Sequence, residues 1–409
     1  MDQLKKILAT PAARSTAFYY LGNFAVSGGR YLFHILLLRL LLPSEYGEFL
    51  AYLSLLYILG IPNATVNSIV VKFVSDFRGK NDRRSVNEFF YYLIEKLTPL
   101  SLFLGVTLII LSGPLSVALK ARPTAFIILG ASLFISLLST VIKSYLLAFQ
   151  HLVAQIVIGF IEILFILGLA YVFITLGLSA TGAVLAQILA GIIGVIISFW
   201  VIKKEVLPAI LKTKRSFSLR SFTGYSLIYA VGSISLLSTD VLLARYFLTE
   251  HLSGIYSSLA VIGRTIYFGL GPLIGLVLPI ASHRHSLSGT ARSVFLKLGG
   301  VILILGIIAT GIFVLFPNLV ISFVSGANYL EAAGYLPLFA ITMLLFSLNL
   351  FLINYLMAIG RPRVNLNLLI ATLAQPLLIL FFHQSLGQIV WLNLVLEVGL
   401  LISLIPRLP

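Results

Sequence analysis

The chain has 409 residues, of which 59% are hydrophobic and 10% charged, with a formal net charge of +15 and a mean hydropathy of +1.08. Soluble domains carry roughly 25% charged residues, so a chain this poor in charge cannot cover a water-facing surface and must be solvated largely by lipid. Long apolar runs exclude a β-barrel, the absence of cysteine excludes disulfides and thiolate metal sites, and basic residues scattered between apolar runs argue against a nucleic-acid partner.

The basic N-terminus, Met1 to Ala13, leads into a long apolar run, as a retained span does, rather than into the short core of a signal peptide. Apolar runs compatible with helix then fall at 15–41, 46–71, 87–117, 124–149, 152–176 and 180–202. A second set falls at 222–247, 253–281, 293–317, 332–358, 364–382 and 385–405. Turn and charge signals separate them, among them Leu42-Pro43-Ser44-Glu45, Arg122-Pro123 and Gly360-Arg361-Pro362-Arg363. At about 20 residues per span, the pattern predicts an all-α polytopic membrane protein with about twelve transmembrane helices. With the N-terminus placed in the cytoplasm, most of the 28 Lys and Arg fall on the inner side, which predicts a plasma-membrane protein with both termini cytoplasmic.

The two sets repeat one another. The segment Arg39 to Gly47, which ends the first span, matches Arg245 to Gly254 at the end of the seventh, and Tyr145 to Gln150 matches Tyr355 to Gly360. Six spans per set makes the repeat parallel, with an axis along the membrane normal. The predicted organisation is an N-terminal lobe over 1–202, a basic cytoplasmic linker over 203–221, and a C-terminal lobe over 222–409.

A charge in the hydrocarbon core costs about 2.5–3.5 kcal/mol on insertion scales, so Arg30, Glu162, Asp240, Arg264 and Glu397 each need a reason. Asn23, Ser27, Arg30 and His34 lie on one face of the first span, and Ser132, Ser136, Ser139 and Lys143 on one face of the fourth. Ser226, Tyr229, Ser233 and Asp240 form a similar stripe on the seventh span. Ser257, Arg264, Tyr267 and Gly271 do so on the eighth, where Pro272 and Pro279 are expected kinks. Such stripes face other helices or a wet cavity. The neutral residues read as hydrogen bonds between helices, and the two arginines as sites beside water, an acid or an anionic ligand. Asp240, Glu162 and Glu397 read as salt-bridge partners, structural anchors or ion-coupling carboxylates. His283-Arg284-His285 reads as a solvated basic turn in a cytoplasmic loop rather than a metal site. No Walker A loop, metal-ligand cluster or nucleophile elbow is present in the sequence, so an enzyme is not expected.

Segment 39–49, RLLLPSEYGEF, resembles the segment after the first span of the polysaccharide-biosynthesis membrane proteins. These are the Wzx-type flippases for lipid-linked oligosaccharides, within the multidrug/oligosaccharidyl-lipid/polysaccharide exporter (MOP) superfamily. Asp240 followed by Gly254-Ile-Tyr256, Pro279, and the Gly360-Arg361-Pro362 turn resemble that family's later motifs. Leu42 replaces the family's glycine before the proline, and a glutamine is missing near the Gly-Arg-Pro turn. The resemblance implies a MATE-like pair of lobes that flips a polyprenyl-diphosphate-linked oligosaccharide by alternating access. Arg30 and Arg264, with His34, Asn23 and Tyr267, are then the substrate-binding candidates. No cofactor is implied beyond a proton or sodium ion that could couple transport through Asp240, Glu162 or Glu397. Partners are the bilayer and the lipid-linked substrate, and could include polysaccharide assembly enzymes. The alternatives are a cation-coupled multidrug antiporter of the same superfamily and, from a different class, a membrane glycosyltransferase or ligase, against which the short outer loops argue.

Overall fold

The computed structural model describes residues 11–206, 224–288 and 290–407, and these contain helices and no strands. Lys5, Lys6 and the linker beyond residue 206, with Lys212, Lys214, Arg215 and Arg220, lie outside the described residues. In chain order the α-helices are α1 Pro11–Leu40, α2 Pro43–Leu59, α3 Ile61–Gly79, α4 Arg83–Ile110, α5 Ser112–Ala118 and α6 Pro123–Ala148. Next come α7 Leu152–Phe173, α8 Ser179–Val206, α9 Gly224–Leu236, α10 Thr239–Phe247, α11 Glu250–Gly263 and α12 Thr265–Ser288. The last are α13 Arg292–Leu315, α14 Pro317–Val324, α15 Leu336–Ala358, α16 Asn365–Phe381 and α17 Leu386–Leu404.

The predicted breaks have local causes. Pro43, Pro123 and Pro317 open their helices at the first turn, where the missing N–H costs nothing. The Glu45 carboxylate accepts the Leu42 amide at 3.0 Å, Asp82 caps α4 through the Ser85 amide at 3.0 Å, and Ser385 caps α17 through the Gln388 amide at 3.3 Å.

Among the described residues, nine helices are long and apolar enough to cross a membrane, and ten if the pair α2–α3, bent by 45°, is one span. This is a multi-pass membrane protein. Each of the twelve apolar runs is largely helical over its described residues, and the step from ten to twelve reflects two features. One stretch, Leu152–Val206, is 55 residues long, about 80 Å at the α-helical rise, more than twice a hydrocarbon core. It folds back on itself at Ile174–Leu178, where Gly177 takes φ 85°, so that α7 and α8 pack side by side. The other feature is α1, whose apolar run is diluted by Asn23, Arg30 and His34. On the eighth span the break falls at Arg264, between α11 and α12, and α12 runs on through Pro272 and Pro279. His283-Arg284-His285 lies in the last turns of α12, not in a loop, because the helix continues to Ser288 before Thr290 and Arg292 begin the next element.

The chain divides into two compact units. The first comprises residues 1–40, 62–116 and 122–221; the second comprises 41–61, 117–121 and 222–409. In the first, α1 packs on α7, α4 on α6, and α8 on both α6 and α7. Glycines set the α1–α7 approach: Gly22 meets Ile156, Gly29 meets Ile163, and Gly159 of α7 meets Val26. A core of Phe89, Phe90, Tyr145 and Phe149 fills the space near the α6–α7 turn, and the Tyr145 hydroxyl donates to the Val86 carbonyl at 2.9 Å.

In the second unit α2 packs against α11. Gly47 and Gly254, the closing residues of the two matched sequence segments, lie against each other. A Cβ at Gly47 would sit 2.8 Å from the Gly254 nitrogen, and one at Gly254 would run into the Pro43 carbonyl. Arg245, 1% exposed, holds this region together. Its guanidinium donates to the carbonyls of Leu119 at 2.8 Å, Lys120 at 2.6 Å and Ser44 at 3.1 Å, and to Ser253 Oγ at 3.0 Å. Lys120 Nζ returns a bond to the Leu248 carbonyl at 2.7 Å. Tyr329, fully buried, donates to the Leu41 carbonyl at 3.1 Å; burial, and then the nearby Glu45, push its hydroxyl pKa up, which keeps the donor proton in place.

A side chain at position 254 must therefore move backbone. Gly254→Ala is expected to destabilise the protein by about 1–3 kcal/mol, as overpacking does, and to lower the midpoint of thermal unfolding in detergent. Gly271→Ala, where nothing lies within 4 Å of the new Cβ, should leave the midpoint unchanged.

Candidate functional site

Each unit embeds a group of charged side chains among apolar helices. In the first, the glycine-mediated approach of α1 and α7 builds the site. Gly29 lies on Ile163, and the next residue along α1, Arg30, reaches Oε2 of Glu162, the neighbour of Ile163, at 3.4 Å. From α6, Lys143 Nζ donates a short hydrogen bond to Oε1. On α8 the facing position is Gly194, where a Cβ would run into Oε1. The Glu162 side chain is 12% exposed and that of Arg30 65%. Two cations thus share one anion, and the trio carries one surplus positive charge. His34 and Asn23, on the Arg30 stripe, are half-buried. Beside Lys143, Ser144 donates to Asn67 of α3 at 2.6 Å.

In the second unit, the seventh span is broken between α9 and α10. Gln375 of α16 donates to the Leu236 carbonyl at the break, at 3.1 Å, satisfying backbone that lipid could not. Asp240, in the first turn of α10, accepts from the Val241 amide at 2.8 Å and from the Tyr256 hydroxyl at 2.8 Å. Arg264 Nη2 donates to its two oxygens at 2.8 and 3.0 Å. Asn393 of α17 donates to the Tyr256 oxygen at 3.0 Å and accepts from Gln375 at 2.9 Å. Asp240 and Arg264 are 2% and 6% exposed, so this network is closed to water and ties α10, α11, α16 and α17 at the two points where spans are broken. Glu397, one turn beyond Asn393, is buried and accepts from Asn349 Nδ2 at 2.8 Å. Tyr267 is half-buried, edge-on to Phe346 at 5.0 Å.

Of the residues singled out in the sequence, the structure brings together Arg30 with Glu162, and Arg264 with Asp240. His34 and Asn23 share the helix of Arg30, while Glu397 and Tyr267 stand in neither ion pair. Lys143, which closes the polar stripe of the fourth span, is the second partner of Glu162. The only signal was that Lys143 and Glu162 stand on consecutive helices joined by the tight turn at Gln150. The serine stripes behave differently from expectation. Ser132, Ser136 and Ser233 bond back to Leu129, Leu133 and Tyr229 of their own helices, because a serine hydroxyl reaches the carbonyl three or four residues earlier. The bonds between helices come mostly from longer amides: Asn349, Gln375, Asn393, and Asn354, which donates to the Tyr229 hydroxyl at 2.9 Å.

No protein-family model and no curated protein matches the sequence. Solved structures do match the fold. A multidrug-resistance MATE family transporter of the MOP superfamily, in an inward-facing conformation, aligns with TM-score 0.72 at 15% identity over 92% of this chain and 93% of that one. The lipid II flippase MurJ, in an inward closed conformation, aligns with TM-score 0.67 at 13% identity over 96% and 86%. A MATE structure in the bent conformation aligns with TM-score 0.61 at 14% identity over 98% and 96%. The chain therefore has the all-α polytopic fold of MATE and MurJ proteins. Identities this low show the fold alone and do not select the polysaccharide branch.

Breaking a buried ion pair by removing one partner leaves an uncompensated charge, at a cost of about 3–5 kcal/mol. Arg264→Met is expected to lower the thermal midpoint in detergent strongly, and the double variant Arg264→Met with Asp240→Asn should recover a large part of the loss. Equal loss in the single and double variants would mean that the pair is not the stabilising element.

Proposed function

We propose that this protein is a transporter that flips a lipid bearing an anionic, diphosphate-linked oligosaccharide headgroup across the plasma membrane by alternating access. The observation that carries the reading is the trio of Arg30, Lys143 and Glu162: a surplus cation, with Arg30 largely exposed, on helices otherwise built for lipid. A guanidinium matches phosphate oxygens through two parallel hydrogen bonds, and a low-dielectric setting strengthens them. Arg30 is the stronger headgroup candidate of the two arginines, since both oxygens of Asp240 already engage Arg264. His34 and Asn23 extend the polar face of α1 beside it. The MOP-type fold, shared with a lipid II flippase, supports a lipid-linked substrate, and the resemblance of segment 39–49 to Wzx-type proteins favours a surface glycan. The distribution of Lys and Arg supports cytoplasmic termini. A transporter role needs no catalytic group.

A cation-coupled multidrug antiporter is the second reading. It is favoured by the fold it shares with MATE transporters and by Glu397, a buried carboxyl bonded to an amide rather than to a cation.

Reconstituted in liposomes, the protein is expected to flip a fluorescent polyprenyl-diphosphate-linked sugar. Arg30→Ala should slow flipping roughly 10- to 100-fold, the value of a charge-assisted hydrogen bond, and Arg30→Lys should fall between. An unchanged rate in a folded Arg30→Ala variant removes Arg30 from the headgroup site. Efflux of a cationic dye without lipid flipping would replace the proposal by the antiporter.

A further inference from the structure

Glu162 holds its two cations unequally. Lys143 makes a short bond to Oε1, whereas Arg30 stands 3.4 Å from Oε2 on an arm that is largely exposed. The carboxylate lies against Gly194 of α8, where a Cβ would meet Oε1 and push the carboxylate from its present place. The helices packed on α7 are α1, α6 and α8. α1 brings Arg30, with His34 one turn on, and α6 brings Lys143. α8 presents Gly194 at this level, and its charges Lys203, Lys204 and Glu205 stand roughly 13 Å or more further along the helix. Glu205 is there engaged with His151 at 2.9 Å. No second carboxylate among the described residues of these helices faces the pair of cations.

A carboxylate seated between a guanidinium and an ammonium has the arrangement that a phosphate group would have in the same place. A carboxylate is planar and a phosphate tetrahedral, but both present anionic oxygens that accept charge-assisted bonds from Arg and Lys. We propose that Arg30 and Lys143 form a single two-pronged anion site and that Glu162 is its internal occupant, a competitor that an incoming diphosphate must displace. This rests on the flippase reading and adds three things to it. Lys143 becomes a second headgroup-binding residue. The carboxylate beside it weakens binding rather than helping it. The site selects for ligands with at least two negative charges, because a monoanion only replaces the charge that Glu162 already supplies, whereas a diphosphate also uses the surplus cation.

Such an arrangement suits a transporter. Cations held by an internal carboxylate stay ordered when the site is empty, and a ligand held against a competitor is released more readily than one held alone. Gly194 acts as a positioning residue: it touches no ligand and sets where the competitor can sit.

The test is equilibrium binding of farnesyl diphosphate and farnesyl monophosphate to the purified full chain in detergent at about pH 5, where a phosphate monoester, with its second pKa at about 6, carries about one negative charge. Glu162→Gln, which keeps the shape of the side chain and removes its charge, should bind the diphosphate about tenfold more tightly than the unaltered protein, the scale of one charge-assisted contact. Lys143→Ala and Arg30→Ala should each bind it at least tenfold more weakly, on the same scale. The unaltered protein should prefer diphosphate to monophosphate, and Glu162→Gln should narrow that preference. Should Glu162→Gln not fold, Glu162→Asp serves instead, since a side chain one methylene shorter cannot hold both cations and should also tighten binding. Weaker binding in a folded Glu162 variant would overturn the competitor role, and unchanged binding in Lys143→Ala would overturn the two-pronged site. Both results leave the flippase reading standing if liposome flipping persists, whereas loss of that reading shows as absent flipping by the unaltered protein.

Discussion

Taking a carboxylate out of water costs several kcal/mol even after the protein relaxes, and Asp240, Glu397 and Glu162 meet that cost in three ways. Asp240 is fully enclosed and saturated: one arginine, one tyrosine hydroxyl and one backbone amide engage it. Glu397 is enclosed with an amide for company. Glu162 has more cation than it needs and an edge that opens outward. The same chemical group is therefore a structural knot in one place and an adjustable element in another, and the difference lies in what neighbours it has and how much of them water can reach.

The knot at Asp240 explains why this part of the chain tolerates interrupted spans. A helix that stops inside a membrane leaves carbonyls and amides that lipid cannot satisfy. Here Gln375 takes one such carbonyl, Asp240 takes an amide at the restart of the helix, and Arg264 stands at the next interruption. The polar residues that looked costly in the sequence sit at the points where the backbone itself is irregular. In the first unit, the trio at Glu162 arises from ordinary helix packing. Gly22, Gly29 and Gly159 let α1 and α7 approach closely, and that approach is what carries Arg30 to within reach of Glu162.

The fold was legible in the sequence because it is dictated by solvent: apolar runs, prolines at helix starts and the placement of Lys and Arg all follow from lipid. The pairing of charges was less legible. Arg30 and Glu162 are separated by 132 positions, and nothing in one sequence says which helices touch. Arg264 and Asp240 could be listed as buried charges but not joined, since the break at Arg264 is not marked by a proline or a glycine stretch. Lys143 stood out as the end of a polar stripe on the fourth span, but nothing in that stripe marked Glu162 as its partner. Asn349, Gln375 and Asn393 escaped notice because neutral amides in apolar runs are common, and only the neighbouring helix reveals which of them carries a network.

Arg245 engages the segments around it chiefly through their carbonyl oxygens, which every residue type possesses. The side chains at Ser44 and Leu119 take no part in these bonds and can change without loosening the tie, whereas Lys120 adds its own bond to the Leu248 carbonyl and the pair Gly47 and Gly254 admits almost no replacement. A region fastened in this way keeps its shape while its letters change, and leaves behind a faint signature: a buried arginine and two glycines amid sequence that otherwise looks unrelated.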